Sequence, residues 1–200
     1  MLSSITPLGE RGRGSVWGVT VASFALASTI AGTAIGLALG ALGELLLGGV
    51  SGDARIAILA VAVAIGLALD LGIGGLRLPT VRRQVNENWL GAFRGWVYGA
   101  GFGFQLGLGV STIVTTSAVY LTLLAALLAA DPAAGALIGG AFGLLRGVAI
   151  LPAWRVRSPE RLFGFNARVE ELAAAAQRWT PVGLAAVLIW AAIAAAAAGV

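Results

Sequence analysis

The sequence predicts an all-α protein, a polytopic helical bundle in a membrane with about five transmembrane helices and two interfacial helices. Hydrophobic residues make up 58% of its 200 positions and charged residues only 11%, whereas the surface of a soluble domain is about a quarter charged. The mean hydropathy is +0.93. Five apolar runs approach or exceed the ~20 residues that cross a bilayer as a helix. These runs are 17–47, 56–76, 97–130, 133–153 and 182–200.

Residues 1–16 precede the first apolar run and are predicted to form a cytoplasmic N-terminal tail, and residues 17–200 a single transmembrane domain. The first run is much longer than the apolar core of a signal peptide, so we expect it to remain as an anchor. The first and third runs each exceed 30 residues. That length is too short for two crossings and suits a tilted, kinked or partly re-entrant element.

The distribution of arginine predicts the topology. All 13 basic residues are arginine, and they concentrate before the first span, between the second and third, and between the fourth and fifth. The other loops carry only Asp53 with Arg55, and Asp131. With five spans, the basic segments all lie on one side, which the positive-inside rule makes cytoplasmic. We therefore expect a multi-pass protein of the bacterial inner membrane with a cytoplasmic N-terminus, and no nucleic-acid partner despite the net charge of +4.

Two segments on the predicted cytoplasmic side have helical patterns. The stretch 80–95 places apolar residues at spacings of four, and Ser158, Pro159 and Glu160 form a helix start before 161–178. Either segment could dock a partner. Interfacial anchoring is the favoured interpretation because Trp89 and Trp179 lie where aromatic belts form.

Glycines recur at every fourth position in three of the apolar runs. This spacing keeps them on one helix face and lets neighbouring backbones approach closely. They could instead line a narrow pathway, or they could bind a membrane-protein partner or a second copy of the chain. The lipid bilayer itself is the other expected partner. The three rows are Gly32, Gly36 and Gly40; Gly99, Gly103 and Gly107; and Gly135, Gly139, Gly143 and Gly147.

Two charged residues lie inside apolar runs. Asp70 is about three quarters of the way along the second run and Arg146 about two thirds along the fourth. A lone charge in hydrocarbon costs at least ~2.5 to 3.5 kcal/mol on insertion scales, so the sequence predicts an ion pair between them. The alternatives are a coupling or substrate site, and snorkelling to the interface.

The third run contains a cluster of hydroxyl side chains, preceded by Gln105. Such hydroxyls can bond back to the carbonyl three or four residues earlier and bend the helix. Five of them within seven positions cannot share one face, which favours a local distortion or a polar cavity, and Gln105 could hydrogen-bond across helices. The cluster consists of Ser111, Thr112, Thr115, Thr116 and Ser117.

Composition argues against several kinds of chemistry. The chain has no cysteine and no histidine, which removes thiol redox chemistry and the commonest metal ligand. No pair of carboxylates and no phosphate-binding loop stands in a catalytic context. We therefore predict no catalytic residues, no metal and no cofactor, and we do not expect an enzyme.

The order of features from Arg55 onward resembles the membrane domain of the CcdA and DsbD group, a cytochrome c biogenesis and thiol electron-carrier family. RIAILAVAVAIGLALDLGIGGLRLP resembles the third span of that family, and WVYGAGFGFQLGLGVSTIVTTSAVY with the following helix resembles the fourth and fifth. This chain lacks the family's first span and its cysteines, and the reactive position falls near Thr112 or Ile113. The resemblance implies a scaffold with a polar break in mid-membrane, without thiol chemistry.

Two functions remain open from the sequence. The first is a small-solute transporter or transport subunit, indicated by the polar break and the two intramembrane charges. The second is a non-catalytic membrane subunit or assembly factor of an envelope or respiratory complex, indicated by the glycine faces and the cytoplasmic helices.

Overall fold

The computed structural model describes residues 5–75, 78, 88–111 and 114–197. All regular secondary structure in these residues is helical. The helices are α1 (Pro7–Gly12), α2 (Trp17–Leu47), α3 (Gly52–Asp70), α4 (Trp89–Ala92), α5 (Gly95–Gly107), α6 (Ala118–Leu128), α7 (Pro132–Val148) and α8 (Pro159–Ala197), with 3-10 turns at Ile73–Gly75 and Leu151–Arg155.

Four segments of the described chain are long and apolar enough to cross a membrane. They are α2, α3, α7 with its following 3-10 turn, and α8 as far as Trp190. Large apolar side chains cover the outer surface, for example Leu45 at 81% exposure and Leu137 at 75%. A soluble monomer rarely exposes apolar surface on this scale. The predicted all-helical membrane bundle is confirmed, and the third predicted span consists of two shorter helices, α5 and α6.

Helix α2 is the centre of the bundle and packs against α7 through glycines on both sides. A Cβ atom on Gly32 would collide with the carbonyl oxygen of Gly139, and one on Gly139 would collide with that of Gly32. Ser28 reinforces the contact, since its Oγ donates to the Gly143 carbonyl at 2.7 Å. The residue numbers run in opposite directions along the contact, so the two helices are antiparallel.

A second face of α2 holds α5. Gly99 faces Thr20, Gly103 faces Phe24 and Gly107 faces Ser28, so α5 runs parallel to α2. The glycine spacing therefore packs helices together, as predicted. Because all three rows contact another helix of the same chain, they are not free to hold a second protein.

Helices α3, α6 and α8 complete the bundle. Gly66 of α3 lies against Ser117 and Leu121, while Arg55 at the other end of α3 reaches Leu128 and Ala129 beyond the end of α6. Helix α3 is thus antiparallel to α6, and α8 packs on α3.

Several predicted boundaries differ from the structure, and α7 ends at Val148 rather than at 153. Helix α3 ends at Asp70 rather than at 76, because Gly72 takes a φ of +67°, which ends a helix readily. The predicted interfacial helix 161–178 and the predicted span 182–200 form one continuous helix. Pro181 lies inside it, and Thr180 Oγ1 donates to the Ala176 carbonyl at 2.8 Å just before the proline. The first half of the other predicted interfacial helix, 80–95, lies outside the described residues, and its described half contains α4.

The predicted tail folds onto the bundle. Ile5 and Glu10 are fully buried, the Leu8 amide donates to the Val156 carbonyl at 3.2 Å, and the indole of Trp17 donates to the Ile5 carbonyl at 3.3 Å. Ile5 joins a cluster of buried apolar side chains from α2, α5 and the segment after α7. The arginine-rich end of the bundle is therefore closed by its own N-terminal segment.

Candidate functional site: a broken helix with a carboxylate at the break

The third apolar run forms two helices, α5 and α6, and the described residues between them, 108–111 and 114–117, are not α-helical. Helix α5 ends at Gly107, and the chain turns at Gly109, whose φ of +82° suits a residue without a Cβ. Helix α6 begins at Ala118 and runs parallel to α2, with Gly43 of α2 beside Leu127. Since Gly107 lies against Ser28 of α2, the interruption lies alongside the middle of α2. The predicted distortion of this span is confirmed.

Asp70 lies at the start of the second half-helix. Its two carboxylate oxygens accept hydrogen bonds from the Ser117 backbone N–H at 2.9 Å and from the Ser117 hydroxyl at 2.8 Å. Negative charge is favoured where the dipole of a helix begins. Asp70 therefore caps α6 from another helix, and this contact holds α3 at the depth of the break.

Arg55 occupies the other end of the same half-helix. Its Nη1 donates to the Ala129 carbonyl at 3.1 Å and to that of Leu128 at 3.4 Å. Helix α3 thus places an anion at the start of α6 and a cation at its end, which is the favourable order at both ends of the dipole. Arg55 was not among the predicted site residues. The sequence does indicate its role, because Arg55 lies at the start of an apolar span that ends in an aspartate.

Two members of the hydroxyl cluster form hydrogen bonds within the part of the chain that the structure describes. Ser111 donates to the Gln105 carbonyl, and Ser117, which is 3% exposed, donates to Asp70. Among described residues, Thr115 and Thr116 find no hydrogen-bond partner, and Thr115 is exposed. Thr112 lies outside the described residues. The Gln105 side chain is half-buried, and no cross-helix hydrogen bond from it exists within the described chain.

The predicted ion pair between Asp70 and Arg146 is wrong. Among described residues the ion pair that forms is Arg13 with Glu10. The Nη1 atom of Arg146 is buried without a hydrogen-bond partner, and its guanidinium lies 5.2 Å from the centre of the Phe142 ring. A cation over an aromatic face is attracted to it, so Phe142 provides the stabilisation that Asp70 does not.

Asp70 and Arg146 do not form an ion pair because they lie at different depths in the bundle. Arg146 is flanked on α7 by Gly143 and Gly147, which lie against Ser28 and Ala25 of α2. Ser117 precedes Leu127 by ten residues, and Leu127 lies against Gly43. Ser117, which binds Asp70, therefore lies about seven residues of α2 away from the level of Arg146, or roughly 10 Å at 1.5 Å per residue.

A buried polar cluster at the arginine-rich end escaped the sequence analysis. The carboxylate of Glu10, which is 0% exposed, accepts from the Tyr98 hydroxyl at 2.5 Å, the Thr20 hydroxyl at 2.6 Å and Arg13 Nη2 at 2.7 Å. Burial lowers the pKa of Arg13, but its hydrogen bonds to Glu10 and Tyr98 outweigh that effect and raise the pKa above its ordinary value. The one sign of it in the sequence is that Glu10 is a lone acid in the basic segment GERGR, but nothing in that segment points to Tyr98.

This cluster joins three helices. Glu10 and Arg13 belong to α1 and its C-cap, Thr20 to α2 and Tyr98 to α5. Gly95 makes room for it, because a Cβ there would collide with the Thr20 hydroxyl and lie 3.1 Å from Glu10 Oε2. Both oxygens of the Glu10 carboxylate accept hydrogen bonds, as a buried carboxylate requires. Its role in the fold is to fasten the N-terminal segment to the bundle.

No metal-binding group is visible within the described chain, where no three His, Cys, Asp or Glu side chains lie close enough to share an ion. The break instead offers hydroxyls, backbone carbonyls and one carboxylate. These groups can bind a small polar or positively charged solute.

The chain is similar to the methylamine utilization protein MauF of Paracoccus versutus, with 31% identity over 175 residues. That alignment includes 80% of this chain and 63% of MauF, so the chain spans a little under two thirds of this relative's length. No protein-family profile and no solved structure matches the chain.

Proposed function

We propose that the chain is a small-solute transporter or transport subunit of the bacterial inner membrane, with its N-terminus in the cytoplasm. The observation that carries the proposal is the break between α5 and α6, with the Asp70 carboxylate at the start of α6. Discontinuous helices that present backbone groups and a charge at mid-depth are the usual solute sites of transporters. The scaffold would be of the CcdA type, used without thiol chemistry.

The charge at the break favours a cationic solute. Each oxygen of Asp70 accepts one bond from Ser117 and keeps further acceptor capacity. The dipole of α6 is equivalent to about half a positive charge at its start, so the carboxylate retains a net negative charge. Arg146 does not neutralise it, and among described residues no other cation forms an ion pair with it.

The similarity to MauF suggests which cation to test first. That relative's name refers to methylamine utilization. Methylamine is protonated at neutral pH, and the resulting ion carries N–H donors that match a carboxylate and neighbouring hydroxyls. A small alkylammonium ion is therefore the solute class that we assign to this site.

The test is uptake of labelled methylammonium by proteoliposomes that contain the purified chain. Asp70→Asn keeps the size of the side chain and an acceptor for the Ser117 amide but removes the charge, so we expect uptake to fall at least tenfold. Glu44→Gln is the matched control, because Glu44 is an exposed carboxylate on α2 and its loss should leave uptake unchanged. Equal uptake by the wild-type and Asp70→Asn proteins would place the solute elsewhere.

A second set of variants tests the hydroxyls. Replacing Thr112, Thr115 and Thr116 with valine keeps the side-chain shape and removes three hydroxyls. A transporter that uses the break should lose flux while keeping its thermal unfolding temperature. Undiminished flux in this triple variant would remove the hydroxyls from the proposed path.

The alternative proposal is a non-catalytic membrane subunit or assembly factor. It is favoured by the position of the two described cavities, which open at the arginine-rich end and are lined by no residue of the break. If this alternative holds, proteoliposomes with the wild-type protein take up no solute. The tagged chain, extracted from the membranes of the cells that produce it, then migrates in a larger complex on native gels. Migration as a monomer together with solute uptake would reject it.

A further inference from the structure

A cavity of about 1270 Å³ lies between the segment after α7 and the first half of α8. Four arginines line it, namely Arg155, Arg157, Arg161 and Arg168, and no acidic residue does. Among described residues none of the four forms an ion pair. Four guanidinium groups around one cavity, with no ion pair among the described residues to neutralise them, create a strongly positive site that suits anionic oxygens.

The rest of the lining is apolar. Leu151 and Val156 contribute from the segment after α7, and Phe165, Val169 and Leu172 from α8. Along α8 the residues 161, 165, 168 and 172 recur at helical spacing, so arginines and apolar side chains share one face. A ligand for this cavity must therefore combine negative charge with hydrocarbon.

The position of the cavity relative to the membrane restricts the ligand further. It begins where the apolar helix α7 ends, beside Trp154, which is 49% exposed and lies 5.3 Å from the Arg155 guanidinium. Half-exposed tryptophan next to arginine is typical of the headgroup region of a bilayer. Arg161 is also oriented by the backbone, since its Nη1 donates to the Arg155 carbonyl at 3.4 Å.

From these observations we propose that the cavity binds an anionic phospholipid. The phosphate contacts the arginines, and the acyl chains lie along Phe165 and Leu172. Basic pockets between membrane helices on the cytoplasmic side are known to hold such headgroups. This site is separate from the break and does not depend on the function proposed for it.

The experiment uses the full-length chain in nanodiscs that contain phosphatidylcholine with a minor fraction of phosphatidylglycerol. Native mass spectrometry then counts the lipids that remain bound. Each basic residue near an anionic membrane surface contributes roughly a factor of five to binding. Arg161→Gln with Arg168→Gln should therefore weaken phosphatidylglycerol binding by about twentyfivefold, and the corresponding lysine variant should restore part of it.

A control pair with the same charge loss is Arg94→Gln with Arg178→Gln, at exposed positions that do not line the cavity. A general attraction to the anionic surface would weaken phosphatidylglycerol binding equally in both double variants, whereas a site in the cavity predicts that this control pair weakens it much less than the cavity pair does. All four side chains are exposed, so both double variants should keep the circular dichroism and unfolding temperature of the wild type.

Three results would overturn the proposal. The first is equal retention of phosphatidylglycerol by the cavity variant and the control variant, which would show a general effect of charge. The second is equal binding of phosphatidylcholine and phosphatidylglycerol by the wild-type protein. The third is displacement of the bound lipid by millimolar inorganic phosphate, which would identify the ligand as a free anion.

Discussion

Replacing Gly36 with alanine is expected to destabilise the contact between α2 and α7. A Cβ atom at Gly36 would collide with the Gly135 carbonyl oxygen and would lie 2.9 Å from the Cα of Gly139. Both are backbone atoms of a packed helix, so no side chain can rotate out of the way. The two helices must therefore move apart.

The magnitude follows from the separation required. Ordinary contacts to a Cβ begin at 3.4 Å, so the contact with Gly139 alone requires about 0.5 Å of opening, and the carbonyl collision requires more. Overpacking of a close-packed interior typically costs about 1–3 kcal/mol. Opening also stretches the 2.7 Å hydrogen bond from Ser28 to Gly143, and such bonds between membrane helices are worth about 0.6 kcal/mol. We expect the free energy of unfolding to fall by about 1.5–3.5 kcal/mol.

The assay is reversible unfolding in mixed micelles with increasing denaturing detergent, monitored by tryptophan fluorescence. Gly18→Ala is the matched control, because Gly18 also belongs to α2 and nothing lies within 4 Å of its added Cβ. If the two variants differ by less than about 0.5 kcal/mol, which is the usual error of additivity, the close packing does not stabilise the bundle and the reasoning is refuted.

Three further predictions concern other parts of the chain. Glu10→Ala removes the acceptor of three hydrogen bonds, two of them from the buried hydroxyls of Thr20 and Tyr98, and should cost about 3–5 kcal/mol in the same assay. Tyr98→Phe removes only the hydroxyl that donates to Glu10 and accepts from Arg13 Nε, and should cost about 1–2 kcal/mol; equal losses would contradict the cluster. Asp70→Ala removes the cap of α6, so amide hydrogen exchange in its first turn should accelerate, while Asp70→Asn keeps an acceptor and should accelerate it less; unchanged exchange in both would mean that Asp70 does not hold α6. Reporter fusions after Asp53 and after Asp131 should read as external and a fusion near Arg161 as cytoplasmic, and an external reading at Arg161 would reverse the predicted topology.

Much of the fold could be predicted because it depends on patterns along single helices. Hydropathy identified α2 with the boundaries 17–47 that the structure has, since an apolar segment of that length has few other stable conformations in a bilayer. The glycine spacing indicated close packing, and the five adjacent hydroxyls indicated the break in the third span. Each of these properties is local to one segment.

The partners of the charged residues could not be predicted in this way. Sequence position placed Asp70 and Arg146 at similar depths, but the packing of α6 and α7 against α2 puts Ser117, which binds Asp70, roughly 10 Å along the axis from Arg146. Glu10 is a similar case, because nothing in the N-terminal segment alone shows that it meets Tyr98, which follows 88 residues later.

The sequence by itself determined that this is a helical membrane protein, which helix faces are glycine-rich and which span is broken. Those properties follow from hydrophobicity and helical periodicity, which act within a segment. Only the tertiary structure decided that Asp70 caps α6, that Arg146 lies over Phe142 and that the N-terminal segment closes the arginine-rich end. The physical reason is that these contacts depend on the register between helices, and one residue of register moves a side chain by 1.5 Å along the axis and by 100° around it.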